Sequence, residues 1–229
     1  LPQTERRCLV KSGLLMKVYD EIDPCIPHAR LIELLRDNLP DCQFAYVGWD
    51  TRGVWEVRAV TPELCEGPDD DRSFGGVALH ENGGLSVCEY IYRLVCTNGL
   101  RVEEKRFYRA KSFTPEELEA RVAERIQYAY GNVRRSLERF LESRNVTVPD
   151  PRQRLVRVAD QVGLPKRLVE DAVEQLPHNQ STLYDIVNTI TRLAREREME
   201  TAVSQHKVEV AAYTLLRSQM CPTCGSLIT

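Results

Sequence analysis

The sequence has no apolar run long enough to span a bilayer. Its opening residues, Leu1-Pro2-Gln3-Thr4-Glu5-Arg6-Arg7, carry no apolar core of an export signal. Both absences lead to the expectation of a cytoplasmic chain with no membrane partner. A Gly-rich phosphate loop, an H-E-x-x-H pair and a G-x-S-x-G nucleophile elbow are also missing, so no catalytic signature stands out and the expectation is a non-enzyme. There is no internal repeat and no low-complexity stretch. Lysine is scarce: 6 of the 31 cations are Lys and 25 are Arg. The net charge of -3 and the pI of about 5.9 exclude a globally basic nucleic-acid binder. They leave room for a local basic patch, because patches rather than totals steer polyanions.

What remains is an ordinary globular composition, 42% hydrophobic and 28% charged over 229 residues, enough for one large domain or two small ones. Leu14 to Tyr19 reads as a strand. His28 to Asn38 reads as a short helix, with Leu31, Leu34 and Leu35 at helical spacing. Cys42 to Trp49 and Val54 to Val60 form a hairpin. In its second strand Trp55, Val57 and Ala59 alternate with a wet face of Glu56 and Arg58. Glu66 to Arg72 reads as a solvated acidic loop, although three successive Asp could also hold a cation. Phe74 to Asn82 and Leu85 to Cys96 form a second hairpin about Asn82-Gly83-Gly84.

The pattern then changes. Thr114-Pro115-Glu116-Glu117 is a capping box that opens an amphipathic helix to about Ser143. Asp150-Pro151 opens another to about Val162, and Gly163-Leu164-Pro165 separates it from a third ending at Leu176. Thr182 to Asp185 opens a last helix through Arg197, which continues with a kink toward Arg217. The expected fold is α+β. Residues 1–112 make a small antiparallel sheet with a helix, residues 113–217 an all-helical half packed on it, and 218–229 a tail.

Three stretches carry a resemblance: Gly75 to Val87 (GGVALHENGGLSV), Tyr92 to Leu100 (YRLVCTNGL) and Thr182 to Thr191 (TLYDIVNTIT). Their order and spacing resemble the phage/plasmid-like family of prokaryotic proteins catalogued as domain of unknown function 932, over roughly residues 14 to 217. The resemblance implies a prophage, plasmid or mobile-element setting. It brings no established reaction and no catalytic residue.

Chemistry can be asked of four places. Cys96 before Thr97-Asn98-Gly99 would need a base to act as a nucleophile. Only His80 lies in the same sheet, and the plainer reading is a small residue ending a strand. Asp185, Asn188, Thr191 and Arg192 share one helical face and read as a buried polar network locking that helix to the sheet. Arg101, Lys105, Arg106, Arg109 and Lys111 interleave with Phe107 and Tyr108, so charges could track phosphates while rings stack on bases. Arg134, Arg135 and Arg139, and then Arg152, Arg154 and Arg157, would extend that surface. Cys221 and Cys224 have the spacing of a zinc knuckle, and Cys25 with His28 offers a second pair to close a structural zinc site.

The functional expectation is a non-catalytic accessory protein that binds nucleic acid, single-stranded by preference. The alternative is a protein-interaction or assembly module of a mobile element. A homo-oligomer or a partner protein fits either.

Overall fold

The computed structural model describes residues 6–11, 14–20, 26–49, 54–67, 71–81, 84–93, 98–108, 113–196 and 202–217; over 6–11, 14–20, 98–108 and 202–206 it describes the course and pairing of the backbone. β1 (Arg6–Lys11) and β2 (Leu14–Asp20) form an antiparallel pair of their own. α1 spans His28–Asn38. β3 (Gln43–Trp49), β4 (Trp55–Glu66), β5 (Ser73–Glu81), β6 (Gly84–Arg93) and β7 (Asn98–Tyr108) form a five-stranded antiparallel sheet in chain order. α2 (Pro115–Glu142) crosses that sheet and ends in a 3-10 turn, Ser143–Asn145. β8 (Thr147–Val148), α3 (Pro151–Val162), α4 (Lys166–Gln175), β9 (Ser181–Thr182), α5 (Leu183–Glu196) and α6 (Ala202–Arg217) complete the chain. The protein is α+β, as its patterning implies. None of the described helices is long and apolar enough to cross a membrane.

The helix ends follow the local chemistry. The Glu117 amide donates to Thr114 Oγ1 at 3.2 Å and the Thr114 amide to the Glu117 carboxylate at 2.8 Å, closing the capping box. Asp150 caps α3 by accepting from the Gln153 amide at 3.0 Å. Gly163 ends α3 in the left-handed region at φ 65°, which costs glycine little. The last helical stretch is described as α5 and α6, and the expected kink between them falls outside the described residues.

Alternation along the strands sorts the sheet into two faces. Trp55, Val57, Ala59, Val77, Leu79 and Val87 are buried under Leu31, Leu34 and Leu35 of α1 and Leu118, Val122, Ile126 and Ala129 of α2. A second core joins Leu137 and Phe140 of α2 to Leu155, Leu168, Leu183, Ile186, Ile190, Ala211 and Leu215, with Ile91 from β6. The strands give way to helices where the pattern changes, yet α2 belongs to both cores. Gly76 pairs with Val60 so closely that a Cβ there would lie 1.9 Å from the Ala59 carbonyl oxygen, which only glycine avoids.

The second face is not wet. Arg58 is 8% exposed, against the expectation of a solvated Glu56/Arg58 edge. It donates to Glu56 at 2.7 and 3.1 Å and lies 3.8 Å from Glu209 of α6. The Tyr46 and Tyr90 rings flank it, each 5.5 Å from the guanidinium carbon. Burial alone would lower the Arg58 pKa, but Tyr90, ionised only at the high pH where Arg58 would titrate, and the carboxylates of Glu56 and Glu209 raise it well above its usual value. Burial pushes Tyr90 up to about 12, so it stays a neutral phenol.

The acidic loop is also not simply a solvated connection. Asp71 is held by two arginines and a tyrosine. Arg93 donates to both carboxylate oxygens, through Nε to Oδ1 and through Nη2 to Oδ2 at 2.7 Å. Arg144 Nη2 reaches Oδ2 at 2.7 Å and the Tyr184 hydroxyl donates to it at 2.6 Å. Both guanidiniums lie over the Tyr184 ring, at 5.1 and 4.4 Å. Burial favours the protonated acid, but the bonds from Arg93 and Tyr184 outweigh it and hold the Asp71 pKa below the ordinary carboxylate range. This cluster ties β6, the β4–β5 loop, the end of α2 and α5 together.

The polar face of α5 does not make that tie. Asp185 is exposed and accepts from Thr182 Oγ1 at 2.7 Å; Thr191 donates to the Val187 carbonyl of its own helix at 2.9 Å. Arg192 bonds Glu196 at 2.8 Å and Gln175 on α4. Tyr184 of α5 carries the polar contact to Asp71 and Arg93.

Candidate nucleic-acid interface

The basic segment of the sequence falls on β7, an edge strand of the sheet. Its register with β6 divides the cations. Lys105 and Phe107 pair with Val87 and Leu85, whereas Arg106, Tyr108 and Arg101 pair with Ser86, Gly84 and Tyr90. Val87 belongs to the face under the helices and Tyr90 to the opposite one. A strand with period 2 therefore splits Lys105 and Phe107 from Arg101, Arg106 and Tyr108, and the segment does not form one surface by itself. Arg109 and Lys111 lie outside the described residues.

α2 brings in a second set. At about 100° per residue, Arg121, Arg125, Tyr128, Asn132, Arg135 and Arg139 fall within about 40° of one line along the helix. The spacing is 4, 3, 4, 3, 4, and the stripe runs about 27 Å at about 1.5 Å per residue. Arg121 is exposed and lies over the Phe113 ring at 4.3 Å; Arg125, at the stripe's inner margin, is buried and lies over the Tyr128 ring at 4.4 Å. Tyr128 is 53% exposed, the most open of the large apolar side chains among the described residues. Glu124, Glu138 and Glu142 border the stripe on the solvent side.

Contacts on either margin of α2 orient the stripe. On one side Glu119 accepts from Arg30 at 2.9 Å and Gln127 donates to Asn38 at 2.8 Å, so that side faces α1. On the other, Ser136 donates to Glu89 of β6 at 2.5 Å. The arginine stripe lies beyond Ser136, on the margin away from α1. In sequence, β7 ends at Tyr108 and α2 begins at Pro115.

The expected extensions fare differently. Arg135 is on the stripe; Arg134 turns toward β4, 3.7 Å from Glu66. Arg152 donates to the Leu176 carbonyl at 2.8 Å and Arg157 to Gln153 at 2.6 Å, so both serve the helical core's own connections. Arg121, Arg125, Tyr128 and Asn132 escaped the reading of the sequence because the helix was followed by its apolar positions; the same spacing counted on arginine would have found them.

Of the zinc set, Cys25, Cys221 and Cys224 lie outside the described residues. His28 stacks on Trp55 at 4.3 Å, meets Trp49 edge-on at 5.3 Å and holds Glu81 through Nε2 at 3.0 Å. Among the described residues no three His, Cys, Asp or Glu side chains converge as metal ligands. Cys96 is likewise outside the described residues, and Cys88 is buried with its thiol on the Ala78 carbonyl at 3.4 Å. No family model, curated protein or solved structure matches the chain.

Proposed function

We propose that this is a non-catalytic nucleic-acid-binding accessory protein that takes single strands along the margin between α2 and β7. The observation that carries the reading is the α2 stripe: Arg121, Arg135 and Arg139 reach solvent beside the exposed Tyr128 on one line about 27 Å long, with Arg125 buried beneath the Tyr128 ring. Guanidiniums at that spacing suit a row of phosphates, and a ring open on one face suits an unstacked base. Duplex recognition by a major-groove helix would use side chains aimed outward from α2, where Glu124, Glu138 and Glu142 stand instead. β7 adds Lys105 and Phe107 at register positions on the same side of the sheet. The resemblance to the phage/plasmid-like family suggests a mobile-element setting for this activity.

The test is fluorescence anisotropy of labelled single-stranded and duplex oligonucleotides across a salt series. Three phosphate contacts, from Arg121, Arg135 and Arg139, give a log–log salt slope of about -2 on single strands. Arg121→Glu with Arg135→Glu lowers affinity and flattens the slope, while Tyr128→Ala weakens binding at every salt concentration. Equal binding by wild type and the double variant would overturn the assignment to α2.

A further inference from the structure

We infer that the outer edge of β3 pairs with β3 of a second copy of this chain, forming a two-fold dimer with a continuous sheet. β3 hydrogen-bonds β4 alone among the described strands, so its other backbone edge has no ladder partner there. Edge strands are usually guarded by charge or proline. β3, Gln43-Phe44-Ala45-Tyr46-Val47-Gly48-Trp49, has neither. Two of the five exposed large apolar side chains in the described structure are neighbours on it: Tyr46 at 40% and Val47 at 47%.

The opposite edge explains why the partner is a second β3. β7 carries Arg101, Glu103, Glu104, Lys105 and Arg106, and α5 and α6 pack against it. A head-to-tail β3–β7 contact, which would run on into a filament, meets charge and helices. A β3–β3 contact closes on itself.

Pairing fixes a register. β3 has a bulge between Phe44 and Tyr46, so its regular part is Tyr46 to Trp49. Opposite residues in an antiparallel pair share a face. That requirement admits a two-fold at Tyr46, Val47 or Gly48; the one at Val47 sets Tyr46 against Gly48 and keeps the two Tyr46 rings from facing each other. Gly48 presents no side chain, and Tyr46 already leans over it: a Cβ on Gly48 would lie 2.9 Å from the Tyr46 hydroxyl. The two-fold then stands perpendicular to the sheet. Both helix layers, and both α2 stripes, come to the same face of a ten-stranded sheet.

Light scattering with size exclusion, across the micromolar range, gives the mass. The result expected is twice 26.3 kDa for the wild type. Val47→Lys, which sets two ammonium groups face to face on the axis, is expected at 26.3 kDa with an unchanged circular dichroism spectrum. Val47→Cys tests the register, because directly opposed β residues lie within disulfide reach. Under mild oxidation it should form a covalent dimer that neither wild type nor Val156→Cys, an exposed site on α3, forms. A monomeric wild type overturns the proposal, as does a Val47→Lys protein that stays dimeric. Oligonucleotide binding by the Val47→Lys monomer is scored separately, so loss of the dimer and loss of the α2 interface are read independently.

Discussion

Replacing Asp71 with Asn tests the junction between sheet and helices. The side chain is 16% exposed and receives two bonds from Arg93, one from Arg144 and one from Tyr184. A hydrogen bond to a charged group contributes about 1.5–3 kcal/mol, and such bonds in one network do not add. Asn keeps one acceptor oxygen, but removes the carboxylate charge shared by two half-buried guanidiniums. The expected loss is about 2–4 kcal/mol at neutral pH. With a urea m-value of about 3 kcal/mol/M, the unfolding midpoint followed by circular dichroism falls by about 1 M. The pH dependence carries a sign. The folded pKa of Asp71 lies below its unfolded value, so its contribution is complete above the unfolded carboxylate pKa of about 3.9 and is lost as pH falls through the lower folded value. The difference between wild type and variant should therefore be constant from pH 7 to about 5 and shrink below about pH 4. Glu138→Gln, an exposed change on α2, should change the stability by no more than about 0.5 kcal/mol at any of these pH values. A loss for Asp71→Asn no larger than that control, or one unchanged down to pH 2, would refute the assignment of Asp71 as the tie.

Other outcomes follow from the same contacts. Arg58→Ala removes the buried guanidinium that Glu56 and Glu209 face and should cost about 3–5 kcal/mol by chemical denaturation; a cost below about 1 would mean the pair is not desolvated. Gly76→Ala forces apart the β4–β5 pair at Ala59, and should leave little soluble folded protein, whereas Gly131→Ala, with open space about it on α2, should stabilise by about 0.4–1 kcal/mol. Thr114→Ala removes the α2 cap and should lower stability by about 1 kcal/mol in a thermal melt, with Thr114→Ser recovering most of it.

The parts of the fold carried by local chemistry were readable in advance. α1 begins and ends where the Leu31, Leu34 and Leu35 spacing puts it, and α2 starts at the Thr114 box because cap, proline and carboxylate lie within four residues. Glu56 and Arg58 misled, since alternation reports two faces but not whether α6 lies near the second. Asp71 misled for the same reason: its partners Arg93, Arg144 and Tyr184 are distant in sequence, and composition alone makes an acidic loop look solvated. On α5 the regular polar spacing drew attention to Asp185 and Thr191, while the polar contact to Asp71 and Arg93 is made by Tyr184, which reads as an apolar position. The cationic surface was partly legible. Counting charges along β7 ignored the strand's period, and following leucines along α2 passed over the arginines standing a quarter turn away.

The most direct measurement is the affinity of a labelled single-stranded oligonucleotide for wild type and for the Arg121→Glu, Arg135→Glu double variant, at low salt and in a salt series. The stripe predicts salt-sensitive binding by the wild type, preference for the single strand over the duplex, and a slope reduced by about 1.4 in the variant. Absence of binding at low salt, or identical curves for the two proteins, would contradict it.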